Sequence, residues 1–320
     1  MGISYFSSSS TSPLDEKTDP KNTNRIVAEA VRFIEAHHDQ PFFAYLSFNA
    51  LHIPIGSHPD LVAKYEAKAK TAPPVVWEQE RGLQVRTVQS HAGYAAMVEQ
   101  LDQGIGRVLA ALDRTGLAER TIVVFMSDNG GLATAQGQPT ANAPLRAGKG
   151  WGYEGGVREP WIICAPGVTK PGSVCGTPVI STDFYPTLLD LAGLPLRPQQ
   201  HCDGVSLLPL LKGGPLQRGP LFWHYPHYGG QGGAPYGAVR DGDWKLIEWF
   251  EDGTRELFNL CDDIGEKNNL AAVNPGKVSE LHAKLTAWRT EVKAIMPTPN
   301  PDYKKTPVQK AKKSKGKPAK

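Results

Sequence analysis

Ser127-Asp128-Asn129-Gly130-Gly131 sets a carboxylate and an amide side by side at the end of the apolar run of residues 121–126. Such a run reads as a buried strand, and ligands of open α/β sheets collect just beyond the carboxyl ends of strands. Two adjacent hard oxygen donors suit Ca²⁺ or Mg²⁺ better than zinc. On its own the segment also reads as a turn, because Asn and Gly tolerate positive φ. A second polar strand end follows residues 42–48, where Asn49-Ala50-Leu51-His52 begins. The imidazole of His52 suits proton transfer near neutral pH, and a structural histidine is the competing reading. Lys149 lies in a small-residue loop and offers three donors on a point charge, which fits a tetrahedral anion.

These groups need a scaffold. Residues 25–37 carry Ile26, Ala30, Phe33 and Ile34 at helical spacing, with Asn24 placed to cap them. A stripe of Met97, Leu101, Ile105, Val108 and Leu112 predicts a helix stopped by Gly116, and the strand of residues 121–126 comes next. Helix-then-strand alternation, twice over, predicts a parallel or mixed sheet covered by helices. Residues 132–156 read as a long loop, functional or disordered, and residues 157–164 as a further buried strand interrupted by Pro160. Asp183 is expected to cap a helix that Gly193 ends. Beyond residue 214, short aromatic runs and the turn Glu251-Asp252-Gly253-Thr254 predict a small antiparallel sheet, closed by a helix over residues 277–295.

Composition narrows the classes. The 320 residues carry a formal charge of +3, yet residues 304–320 hold eight lysines and no acid. Without them the body is at −5, which argues against a nucleic-acid-binding protein. The Lys-rich tail reads as solvated and disordered. The four cysteines form no C-x-x-C pair, so no zinc site is expected, and the count leaves the compartment open. No apolar run is long enough to span a membrane, and residues 1–24 read as a polar entry without an export signal.

Taken in order, residues 41–52, 94–116, 123–131, 144–150, 153–158, 182–189, 203–207 and 240–246 resemble the formylglycine-dependent sulfatases of the alkaline-phosphatase-like superfamily. The resemblance implies an α/β fold with a mixed sheet flanked by helices, here partial with its first strands missing, and a small C-terminal antiparallel sheet plus helix. It divides the chain into a catalytic part over residues 25–214, a small α+β part over 215–300 and the Lys-rich tail. It assigns Asp128 and Asn129 as two ligands of Ca²⁺ (or Mg²⁺), His52 as the histidine facing the ester oxygen, and Lys149 as the sulfate-contacting lysine. His224 and His227, beside the Gly-rich residues 229–237, read equally as a substrate rim or as aromatic packing. Arg146 and Arg158 read as salt-bridge partners.

Family members make formylglycine from a Cys or Ser within C/S-x-P/A-x-R, and no cysteine or serine here stands in that motif. The family's paired aspartates and its Gly-Lys-x-His segment are also absent from these residues. The expected activity is sulfuric ester hydrolysis, on sulfated carbohydrate or aryl sulfates, with this chain inactive alone. Alternatives are a phosphomonoester or phosphodiester hydrolase of the same superfamily and a non-catalytic binder of sulfated glycans. An uncovered sheet edge is expected to invite self-association.

Overall fold

A computed structural model describes residues 18–302 and the main chain of residues 2–7. The Lys-rich tail lies outside the described residues. The first strand, β1 (Gly2–Ser7), pairs in parallel with β2 (Phe42–Ser47), in register from Gly2 opposite Phe42 to Ser7 opposite Ser47. The expected polar entry loop therefore contains a strand. Its short Ile-Ser-Tyr-Phe alternation was hidden by the serines that follow.

The crossover between these strands carries α1 (Thr23–Ala36), which buries Ile26, Val27, Ala30 and Ile34. Asn24 is not its cap. Asn22 holds that position with φ +57 and makes no side-chain cap bond, while the Asn24 amide oxygen accepts from Arg107. After β2 come α2 (Pro59–Ala69), the hairpin β3 (Trp77–Glu80) and β4 (Leu83–Arg86), and α3 (Ala92–Arg114). Gly116 follows α3 at φ +68, the left-handed geometry that lets a glycine end a helix.

Strand β5 (Val123–Met126) pairs antiparallel with β6 (Trp161–Cys164), Met126 lying opposite Trp161. Only α4 (Glu154–Val157) interrupts the long connection between them. The expectation of fully buried strands is corrected. Phe43 and Tyr45 on β2 are 41% and 49% exposed, and Ile162 on β6 is 62% exposed. Phe42 on β2 and Val123 on β5 pack against Ile34 of α1 and Ala111 and Leu112 of α3.

Helices α5 (Phe184–Leu191) and α6 (Leu208–Leu211) precede the small sheet. Asp183 stands at the N-cap of α5 without bonding into it, against expectation. Its buried carboxylate accepts from the N–H groups of Ile180 and Val205 and from Arg218. It ties the segment around residue 205 to the helix start.

The small sheet joins β7 (Leu221–Tyr225), β8 (Tyr236–Asp241), β9 (Trp244–Trp249) and β10 (Arg255–Asn259), all antiparallel, in the order β10-β9-β8-β7. One face packs on α7 (Pro275–Glu291) through Val239, Leu246, Leu257, Leu281 and Leu285. The other joins Val85, Ala133, Trp151 and Tyr153 to Tyr236, Ile247, Trp249 and Phe258 in one core. Apolar residues from both sides of position 214 thus share that core.

Candidate active site

The loop after β5 is locked to the segment that precedes β6. Ser127 N–H donates to Pro160 O at 3.4 Å, and Gly130 N–H to Gly156 O at 3.3 Å. A Cβ on Gly130 would lie 1.8 Å from Gly155 O, so only glycine permits this approach. Lys149 N–H donates to Gly131 O at 3.1 Å, which sets the lysine two residues from the acid–amide couple. Asn142 staples the same loops: its Oδ1 accepts from Gly131 N–H, and its Nδ2 donates to Gly131 O and Ala147 O. Asp128 is exposed, and Asn129 and Lys149 are half-buried.

The antiparallel register of β5 and β6 also brings in a residue that the sequence reading missed. Because Met126 lies opposite Trp161, Glu159 returns beside Asp128. Burial, then the charge of Asp128, pushes the Glu159 carboxyl up to about 7. Its Oε1 is buried without a hydrogen-bond partner. Two close carboxylates and an amide form a hard, anionic donor set, which fits a divalent cation such as Ca²⁺ or Mg²⁺. Among the described residues no group of three or more His, Cys, Asp or Glu side chains forms a complete metal site.

The loop that carries His52 is linked to the Gly131 loop by way of the start of α3. The start of α3 abuts the His52 loop, since a Cβ on Gly93 would lie 2.9 Å from Ile55 Cγ2. One residue on, the Tyr94 hydroxyl lies 3.4 Å from where a Gly131 Cβ would stand. Burial raises the Tyr94 phenol, as does the charge of Glu159. His52 is exposed, and its Nδ1 lies 2.7 Å from Ile53 O. A carbonyl only accepts, so Nδ1 carries the proton and Nε2 is the exchangeable position. A concavity of about 510 Å³ is lined by His52, Ile53, Ile55, His91, Gln136 and Pro139, among others. His91, also missed, caps α3 by accepting from Tyr94 N–H; burial, then Arg86, holds its imidazole below the usual range.

The other expected residues divide. His224 on β7 contacts Ile295 O through Nε2 at 2.9 Å and tilts against Phe250, which is a packing role. His227 is exposed beside Tyr225, ring centroids 4.1 Å apart, next to the Gly-rich loop. That loop is docked on the site: a Cβ on Gly233 would lie 2.3 Å from Gly150 O, next to Lys149. Arg146 makes a two-pronged pair with Glu80 at 2.7 and 2.8 Å, and Arg158 pairs with Glu154 at 3.6 Å. Both are structural ion pairs.

Comparison with known proteins agrees with this architecture. A family model described as "Sulfatase" matches residues 2–194, and one described as "N-sulphoglucosamine sulphohydrolase, C-terminal" matches residues 147–293. A sulfatase of Formosa agariphila is 42% identical over 274 residues, covering 78% of this chain and 46% of its own. The solved structure of Ps i-CgsB with k-i-k-neocarrahexaose aligns with a TM-score of 0.68 and 29% identity, covering 83% of this chain and 54% of that one. A phosphonate monoester hydrolase from Silicibacter pomeroyi, 21% identical with a TM-score of 0.64 over 86% of this chain and 61% of its own, shares the fold. The chain spans about half the length of the curated relatives it matches. With its alkaline-phosphatase-like mixture of helices and strands and its small C-terminal sheet and helix, the chain belongs to the sulfatases, a family of sulfuric ester hydrolases.

Proposed function

We propose that this chain supplies part of the active site of a calcium-dependent sulfatase that acts on a sulfated carbohydrate. One observation carries the reading: the Lys149–Gly131 and Gly130–Gly156 bonds bring an ammonium-bearing residue to the loop of Asp128 and Asn129. Lys149 binds sulfate oxygen as a point charge. His52, with Nδ1–H engaged by Ile53 O, holds the transferable proton at Nε2 and delivers it to the departing ester oxygen. Asp128 and Asn129 hold Ca²⁺ (or Mg²⁺), whose charge, when bound, offsets the charge building on the sulfate. Carbohydrate is favoured by the solved relative bound to neocarrahexaose.

The residues present do not fit a formylglycine, because no Cys or Ser stands in C/S-x-P/A-x-R. These 320 residues alone are therefore expected to bind without turnover. Calorimetric titration with calcium tests the metal reading: heat of binding is expected for the unaltered chain and not for Asp128→Ala. Equal binding by both would sink it. Turnover of 4-nitrophenyl sulfate, abolished by His52→Ala, would overturn the expected inactivity. The fold shared with a phosphonate hydrolase favours a phosphoester substrate, which inorganic phosphate outcompeting sulfate would support.

A further inference from the structure

Helix α3 opens on an imidazole. His91 stands at its N-cap, and its Nδ1 accepts from Tyr94 N–H at 3.2 Å. Only an unprotonated ring nitrogen accepts, so the proton of the neutral ring sits on Nε2. The turn fixed by this bond touches both loops of the site. Gly93 abuts Ile55 of the His52 loop, and Tyr94 reaches the Gly131 loop with its hydroxyl bonded to Thr140. Farther along α3, Met97 and Gln100 hold residues 56–58 without help from His91, so the imidazole acts on the first turn.

The surroundings oppose a second proton on the ring. It lies at the positive end of the helix dipole, where a cation is unfavourable. The charge facing it is the Arg86 guanidinium from β4. Arg86 is itself buried and is held by Val88 O at 2.9 Å, Ser90 Oγ at 2.8 Å and Gln138 O at 3.2 Å. His52 is the other titratable group on the concavity that His91 lines, and the Tyr94 phenol, raised by burial, stays neutral. Burial, then Arg86, lowers the His91 imidazole. A histidine lowered in the folded state adds stability that is present above its unfolded value of about 6.5 and lost as pH falls through the lower folded one.

We propose that His91 is a positioning residue: its unprotonated imidazole caps α3 and so holds the His52 loop and the Gly131 loop in one arrangement, and its protonation in acid releases both. Which groups are thereby brought together rests on the proposed function; the capping does not. The site is assembled at neutral pH and loosened in acid.

Hydrogen–deuterium exchange of the 320-residue chain, read by mass spectrometry, tests this with two variants. His91→Asn keeps a cap acceptor that does not titrate, and His91→Ala removes the acceptor. Chains are compared at the same pH, about 7.5 or about 5, on either side of the histidine range. At the higher pH the native chain is expected to match His91→Asn over residues 50–57, 92–97 and 127–132, and His91→Ala to exchange about fivefold faster there. At the lower pH the native chain is expected to exchange about fivefold faster than His91→Asn in the same segments, with residues 236–249 of the small sheet equal in both. The native and His91→Asn comparison stands even where His91→Ala fails to fold. Equal exchange of those two chains at both pH values, a difference confined to residues 92–97, or one shared by residues 236–249 would each overturn the positioning role. Calcium titration at the higher pH judges the proposed function separately. No heat of binding with this exchange pattern intact removes the proposed function and leaves His91 in its role; binding without the exchange difference does the reverse.

Discussion

The Asn142 side chain and the Gly131 peptide unit exchange two hydrogen bonds, Gly131 N–H to Oδ1 at 3.1 Å and Nδ2 to Gly131 O at 2.9 Å. The pair mimics one rung of a β-ladder in a place where no strand exists. It fixes the carbonyl that also accepts from Lys149 N–H.

Asn142→Ala leaves Gly131 N–H and the Ala147 carbonyl without their partner. Each buried group so stranded costs about 1–3 kcal/mol. Urea unfolding is expected to show a loss in that range, with weaker calcium binding than Asn142→Asp. An unchanged midpoint and unchanged metal affinity would show that Asn142 does not position the site.

Lys245 is fully buried between Glu154 at 2.8 Å and Glu266 at 2.9 Å, and Glu154 also meets Arg240 at 3.2 Å. Removing the ammonium strands the buried Glu266 and leaves Glu154 to Arg240 and Arg158, and breaking a buried pair costs about 3–5 kcal/mol. Lys245→Met is therefore expected to be severely destabilised in chemical denaturation. Lys245→Met with Glu266→Gln is expected to recover part of the loss, because one stranded charge is gone. Additive losses in the double variant would refute the coupling.

Burial alone would raise the Glu248 carboxyl, but the Arg289 hydrogen bond and charge, with the His282 charge, outweigh it and hold it below the usual value of 4.5. A carboxyl depressed in the folded state adds stability that is present above the unfolded pKa and lost as pH falls through the folded one. Relative to Glu248→Gln, the native chain is expected to be more stable at pH 7, with the gap closing below about pH 4.5. A gap that widens on acidification would contradict this sign.

Phe43 and Tyr45 share one face of β2, and Ile162 stands out from β6. Exposed apolar strand faces recruit partners. Sedimentation velocity is expected to show association that grows with concentration and falls in a Tyr45→Lys, Ile162→Lys variant. A concentration-independent monomer would dispose of the idea.

Much of the scaffold was legible because its signals are local. The helix stripe ending at Gly116 and the alternating aromatics of the small sheet needed no partner to be recognised. What escaped depends on pairing between distant segments. Strand β1 is short and runs into serines, so its parallel partner at residue 42 is what reveals it. Glu159 gains meaning only from the antiparallel register of β5 and β6. Asp183 sits where a cap belongs, yet Arg218 and the Val205 amide, far along the chain, draw its carboxylate elsewhere. His52, Asp128, Asn129 and Lys149 stand at strand ends and loops, where residue type alone marks them as candidates, while the contact of His224 with the Ile295 carbonyl has no local signal.

The Lys245 cluster bears on how the chain can be cut. Its cation rides on the small sheet, one acid belongs to α4 and the other follows β10. An excised small sheet would keep Lys245 with Glu266 but would leave Glu154 behind and strip Arg240 of its acid, so the two portions are expected to melt together.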